Sequence, residues 1–99
     1  MDIKKTANGA ELTIAVIGRL DTTTAPQLDS EVKALPAAVM DLTFDFTGLE
    51  YVSSAGLRVI LVSQKTMSAR GGKMKIVGAN ACVRDVFDIT GFSSILTFA

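Results

Sequence analysis

Apolar and polar residues alternate along several stretches of this chain, and elsewhere apolar residues recur every three or four positions. The first pattern predicts strands, the second helices. Ile3 to Thr6 reads as a short first strand. Asn8-Gly9 reads as a hairpin turn, because both residues tolerate positive φ. Leu12 to Ile17 is the second strand, and its apolar content places it inside the sheet. From Gly18 to Pro26 the alternation breaks. Thr24 is the expected N-cap of a first helix, with Pro26 in the first turn, where a missing N–H costs nothing. Leu28, Val32 and Leu35 share one face of that helix, and Pro36 ends it.

Leu42 to Phe46 alternates again and reads as the third strand. It leads into the junction Tyr51-Val52-Ser53-Ser54-Ala55-Gly56-Leu57. A helix follows from about Ala55 to Ala69 or Arg70, and Gly71-Gly72 stops it. Val59, Ile60, Leu61 and Val62 make its start apolar nearly all round, which core packing explains better than a partner surface does. Lys73 to Val77 is the fourth strand, with Met74 and Ile76 on one side and lysines on an exposed side. Asn80 caps a third helix, about Ala81 to Thr90, with Val83, Val86, Phe87 and Ile89 as its apolar positions and Gly91 as its stop. Ser94 to Phe98 reads as a last short strand. Strands alternating with helices imply an α/β fold with a mixed, mostly parallel sheet of four to five strands and about three main helices.

Composition narrows what such a fold can do. Ninety-nine residues suit one domain, 1–99, and are too few for two. Hydrophobic residues make up 48%, enough for a core. Ten basic residues balance ten acidic ones, so no strong field draws the chain to nucleic acid or to an anionic membrane. The single cysteine, Cys82, excludes an internal disulfide and fits a reducing compartment. Met1 to Thr6 has no apolar stretch suited to a signal peptide, and no long apolar run suits a membrane span. A cytoplasmic location is expected. Histidine is absent, which removes Ser-His-Asp and Cys-His catalysis and histidine metal sites.

The chemistry therefore concentrates at the two serines before the second helix. A serine hydroxyl accepts a hydrogen bond from a first-turn amide, so Ser53 or Ser54 starts the helix. Capping alone accounts for most such pairs. Here the stretch Tyr51 to Leu57 resembles the signature of STAS-domain proteins, the anti-sigma-factor antagonists. Gly18-Arg19-Leu20-Asp21 with Thr24-Ala25 resembles a second pattern near the start of those domains, and Val83, Phe87 and Thr90-Gly91-Phe92 resemble their last conserved segment. The resemblance runs from Ile14 to Phe98.

The resemblance implies that a partner kinase phosphorylates Ser54, with Ser53 as the alternate; this chain has Ser53 where many members have Asp. It implies a partner-binding face made of Asp21, Thr22, Thr23, Ser53, Ser54, Ala55, Gly56 and Arg58, with Asp21 beside Ser54, although Asp21 reads equally as a simple turn residue. The partner would be an anti-sigma factor that is also an ATP-dependent serine kinase, and a serine phosphatase would reset the cycle. The chain would need no cofactor, since ATP belongs to the kinase. It would act as a monomeric regulator in transcription control, without touching nucleic acid or inserting into a membrane. STAS domains also serve in anion permeases and lipid ABC transporters, so a docking subunit of a transport complex is the alternative. An enzyme with Ser54 as nucleophile is disfavoured, because no histidine base exists and Gly91-Phe92-Ser93-Ser94-Ile95 is not a Gly-x-Ser-x-Gly elbow.

Overall fold

A computed structural model describes all residues, Met1–Ala99. Strand β1 (Asp2–Asn8) pairs antiparallel with β2 (Glu11–Leu20), Asn8 opposite Glu11. Gly9 alone in the turn takes positive φ, at 62°, while Asn8 stays in the strand. Helix α1 (Ala25–Lys33) follows, then β3 (Asp41–Asp45), β4 (Leu49–Val52), α2 (Ser54–Ala69), β5 (Lys73–Val77) and α3 (Ala81–Ile89). The main sheet order is β1-β2-β3-β5, with β2 in its interior as its apolar run requires. β3 lies parallel to both β2 and β5. The mixed, mostly parallel α/β architecture is the expected one.

Alternation sets which face the helices cover. Leu12, Ile14 and Val16 of β2, Leu42 and Phe44 of β3, and Met74 and Ile76 of β5 are buried in one core. Between them Thr13, Thr43 and Asp45 are half-buried, and Lys73 and Lys75 are exposed. Leu28 and Val32 of α1, Leu57, Ile60 and Met67 of α2, and Val83 and Phe87 of α3 complete that core.

Three features depart from the sequence reading. First, β2 does not stop at Ile17. It runs on to Leu20 through a register shift between Gly18 and Arg19, where Gly18 holds φ 98°. Second, that extension pairs in parallel with a strand missed in the sequence, β4. Leu49 and Val52 are buried while Glu50 and Tyr51 are exposed, so four residues carry no alternation to detect. Third, Ser94 to Phe98 is not a strand. Gly91 takes a left-handed φ of 78°, Phe92–Ser94 coil into a 3-10 turn, and only Phe98 bridges Ile76 at the edge of β5.

The helix ends follow local chemistry. α1 stops at Lys33, two residues before Leu35. Thr24 precedes α1, yet its side chain accepts no capping bond from the helix. α2 ends as predicted at the glycine pair: Gly71 is left-handed, and the Gly72 N–H donates to Met67 O at 2.8 Å. Asn80 caps α3 by accepting from Val83 N at 2.8 Å. Ile89 is 86% exposed and not part of the α3 core face. At about 100° per residue it lies roughly 120° from Val83 around the helix, whereas Phe87 lies only about 40° away.

Candidate functional site

The site begins with where β4 delivers the chain. Ser53 N–H donates to Leu20 O at 2.8 Å, which ties the start of α2 to the end of β2. Gly56 packs directly on that strand end. A Cβ there would sit 2.6 Å from Leu20 Cγ and 3.0 Å from Leu20 O, so no larger residue fits without movement. The two loops that the sequence patterns singled out are thus neighbours: one leaves β2 toward α1, the other leaves β4 toward α2.

The serines divide the roles between them. Ser53 is the N-cap: its backbone is extended and its Oγ accepts from Gly56 N at 3.3 Å. Ser54 is the first helical residue and is exposed. Its hydroxyl makes no hydrogen bond within the protein, whereas Ser30, Ser63 and Ser94 all donate to backbone carbonyls. A helix also begins with N–H groups that have no intrahelical acceptor, and its dipole favours negative charge there. Ser53→Ala removes the cap, so a loss of about 1 kcal/mol in unfolding free energy is expected by urea titration.

Two concavities flank Ser54. One lies between α1 and α2 and is lined by Thr22, Ala25, Pro26, Asp29, Ala55, Arg58, Val59 and Val62. Val62 is 39% exposed there, so the second half of that apolar run is partly a surface. The other lies toward the C-terminal turn and is lined by Ser54 itself with Leu57, Arg58, Leu61, Thr90 and Phe92. Thr22, Ala55 and Arg58 line the first concavity, and Arg58 joins it to the second, which Ser54 lines. Gly56 does not belong to this surface; it is buried on the face of α2 that packs on Leu20.

Asp21 is engaged by its own loop. Its Oδ1 accepts from Thr23 N at 3.0 Å and Thr24 N at 3.1 Å, and Thr24 Oγ1 lies 3.2 Å away. Thr24 Oγ1 accepts from Asp21 N at 2.9 Å and donates to Arg19 O at 2.8 Å, so it is turned back into the loop and does not cap α1. Asp21 is a turn-former first, and no hydrogen bond joins it to Ser54. Thr23 is exposed on the same turn. The residue-by-residue reading missed the Arg19 guanidinium, which sits 4.5 Å from the centre of the Tyr51 ring and bridges β2 to β4. It also missed the part Thr90 and Phe92 play in the wall beside Ser54.

Two carboxylates in this end of the molecule have depressed pKa values. The Thr24 backbone N–H holds the Asp21 carboxyl below its ordinary 3.8, helped by Thr23 N–H, the Thr24 hydroxyl and the Arg19 charge. For Asp45 the Thr47 hydroxyl is the largest cause and the Thr47 N–H the next. A folded-state pKa below the unfolded one adds stability that is present above the unfolded value and is lost as pH falls through the folded one. Stability should therefore decline as pH drops below about 3.8. Urea midpoints at pH 5 and pH 3 should differ less for Asp45→Asn than for wild type.

The geometry now meets the known proteins. Residues 2–99 match the family model for the STAS domain. The chain belongs to the STAS domain family. Its relatives include BtrV of Bordetella bronchiseptica, named as a candidate anti-sigma factor antagonist, at 35% identity over 83% of this chain and 72% of BtrV. The anti-sigma-B factor antagonist of Bacillus subtilis is 29% identical over 97% of this chain and 86% of its own length. The fold matches that of SpoIIAA, an anti-sigma factor antagonist solved in its unphosphorylated form, with a TM-score of 0.79 at 17% identity over 99% of this chain and 87% of that one. The phosphorylated form of SpoIIAA from Bacillus matches with a TM-score of 0.78 at 19% identity over 99% and 91%. No helix of this STAS domain is long and apolar enough to cross a membrane.

Proposed function

We propose that this STAS domain is an anti-sigma-factor antagonist that switches partners through Ser54. The bare form docks on an anti-sigma factor and frees the sigma factor. The anti-sigma factor, acting as an ATP-dependent serine kinase, phosphorylates Ser54 and is released. A serine phosphatase restores the bare form. The protein acts as a cytoplasmic monomer, as regulator and kinase substrate, with no catalysis and no cofactor of its own.

One observation carries the choice of residue: Ser54 offers an exposed hydroxyl with no internal partner, while the Ser53 hydroxyl is engaged in capping. A phosphate on Ser54 adds about −1.5 to −2 charges next to a helix N-terminus. The dipole and free amides accommodate that charge, so the domain stays folded. What changes is the docking face. An apolar or acidic partner surface would have to desolvate or oppose a dianion. The antagonist names of the two relatives support the reading. Neither is named as a transport subunit.

The test is to incubate the protein with ATP in extract of its native cell and map the modified residue by mass spectrometry. Phosphate on Ser54 in wild type and in Ser53→Ala, with none in Ser54→Ala, is the expected result. Phosphate retained in Ser54→Ala would overturn the assignment.

A further inference from the structure

Every arginine of the protein but one has a partner within it. Arg19 lies over Tyr51 and 3.9 Å from Asp21. Arg70 donates to Pro36 O at 2.8 Å and Val39 O at 3.0 Å. Arg84 lies over the Phe98 ring and 4.0 Å from Asp88. Arg58 alone makes no ion pair, hydrogen bond or ring contact, and it is exposed. It is also the one residue that lines both concavities beside Ser54.

Its position on α2 explains what it is free to do. Arg58 follows Ser54 by four residues in one continuous helix. Residues at that spacing lie one above the other, with Cβ atoms about 5–6 Å apart. Helical side chains lean toward the N-terminus, so an arginine here can reach back over the turn that begins with Ser54, and the two line one concavity. Negative charge four residues ahead of positive charge is the favourable order along a helix.

We infer that Arg58 is the clamp for a phosphate on Ser54, and that closing it removes the guanidinium from the docking face. The inference rests on the reading of Ser54 as the phosphorylated residue. The planar guanidinium can donate two parallel hydrogen bonds to phosphate oxygens, which a lysine ammonium cannot match. Phosphorylation then changes the face twice. It adds a dianion, and it withdraws the one unpartnered guanidinium from any acidic group of the docked protein.

The charged surroundings leave Arg58 available for this. Asp29 of α1 lines the same concavity but is held by Lys33 at 2.8 Å. Asp21 is bound by its loop and faces Arg19. Asp88 of α3 faces Arg84. Glu50 of β4 is exposed, and the wall formed by Thr90 and Phe92 carries no charge.

The test installs phosphoserine at position 54 during translation, so no kinase is needed. Wild type, Arg58→Gln and Arg58→Lys are compared by phosphorus NMR titration and by thermal melting, with and without the phosphate. Without phosphate the three should melt together. With it, the second phosphate ionisation in Arg58→Gln should lie about half a unit higher than in wild type, roughly a threefold change in proton affinity. Arg58→Lys should fall between them, and phosphorylation should raise Tm more in wild type than in Arg58→Gln. Identical titrations and identical Tm changes in wild type and Arg58→Gln would overturn the clamp. Failure of the kinase reading would show instead in the extract experiment, as Ser54 left unmodified, with the NMR result unaffected.

Discussion

Phe46→Ala is expected to lower the unfolding free energy by about 3–5 kcal/mol. Small domains of this kind are held by only about 5–15 kcal/mol, so the variant should be close to unfolded at 37 °C. The reason lies in where Phe46 sits. Its ring is fully buried, with its centroid 5.7 Å from Phe44 and 6.5 Å from Phe87, whose ring stacks on it. Phe87 in turn meets Phe98 edge-on at 5.4 Å. Phe46 thus links β3 to α3, and through Phe87 to the C-terminal segment. Its backbone also directs the chain onward: Phe46 N–H donates to Val77 O at 2.8 Å, and Leu49 N–H donates to Phe46 O at 2.9 Å. That second bond closes the turn into β4, and β4 sets the position of Ser53 and Ser54. Urea titration checks the stability loss. Amide hydrogen exchange should show the Ser53 N–H, which donates to Leu20 O, losing protection with β4, not after the rest of the sheet.

The pattern of residues foretold this framework unevenly. Strands with one face in the core were legible because burial on one side forces alternation, as in Leu42-Thr43-Phe44-Asp45-Phe46. Helix stops were legible because Gly71 and Gly91 hold left-handed backbones. β4 was not legible, because a four-residue strand pairing only with the end of β2 shows no period. The last segment misled for the opposite reason. Its apolar residues are real core contributors, Leu96 among them, but Gly91 and the 3-10 turn redirect the chain before it can extend.

From the residues alone the site was legible down to the pair of serines, and only the resemblance put Ser54 ahead of Ser53. Both are the same residue type at adjacent positions, so composition cannot separate them. Backbone geometry does: the extended residue becomes the cap and the helical one is left free. Asp21 was flagged by its place in a pattern, yet its carboxylate is taken by the turn it builds. Arg58 was expected only as part of the partner-binding face; its being the one unpaired arginine shows from the contacts that hold Arg19, Arg70 and Arg84.

The second large effect concerns binding. A phosphate on Ser54 should weaken docking by at least about a hundredfold, roughly 2.7 kcal/mol. That magnitude follows from desolvating a dianion at an interface centre, which costs several kcal/mol when nothing on the partner receives it, even with Arg58 closed on one side of it. Ser54→Asp carries a single charge and cannot reproduce the full group, so its loss should be smaller, near tenfold. Ser54→Ala should fold as wild type does, because the Ser54 hydroxyl has no partner within the domain to lose, and it should bind without being released by the kinase reaction. The direct measurement is calorimetric titration of the protein's anti-sigma factor with bare and with Ser54-phosphorylated protein in one buffer. The account predicts tight one-to-one binding of the bare form and a dissociation constant at least about a hundredfold higher for the phosphorylated form. Equal dissociation constants for the two forms would contradict it.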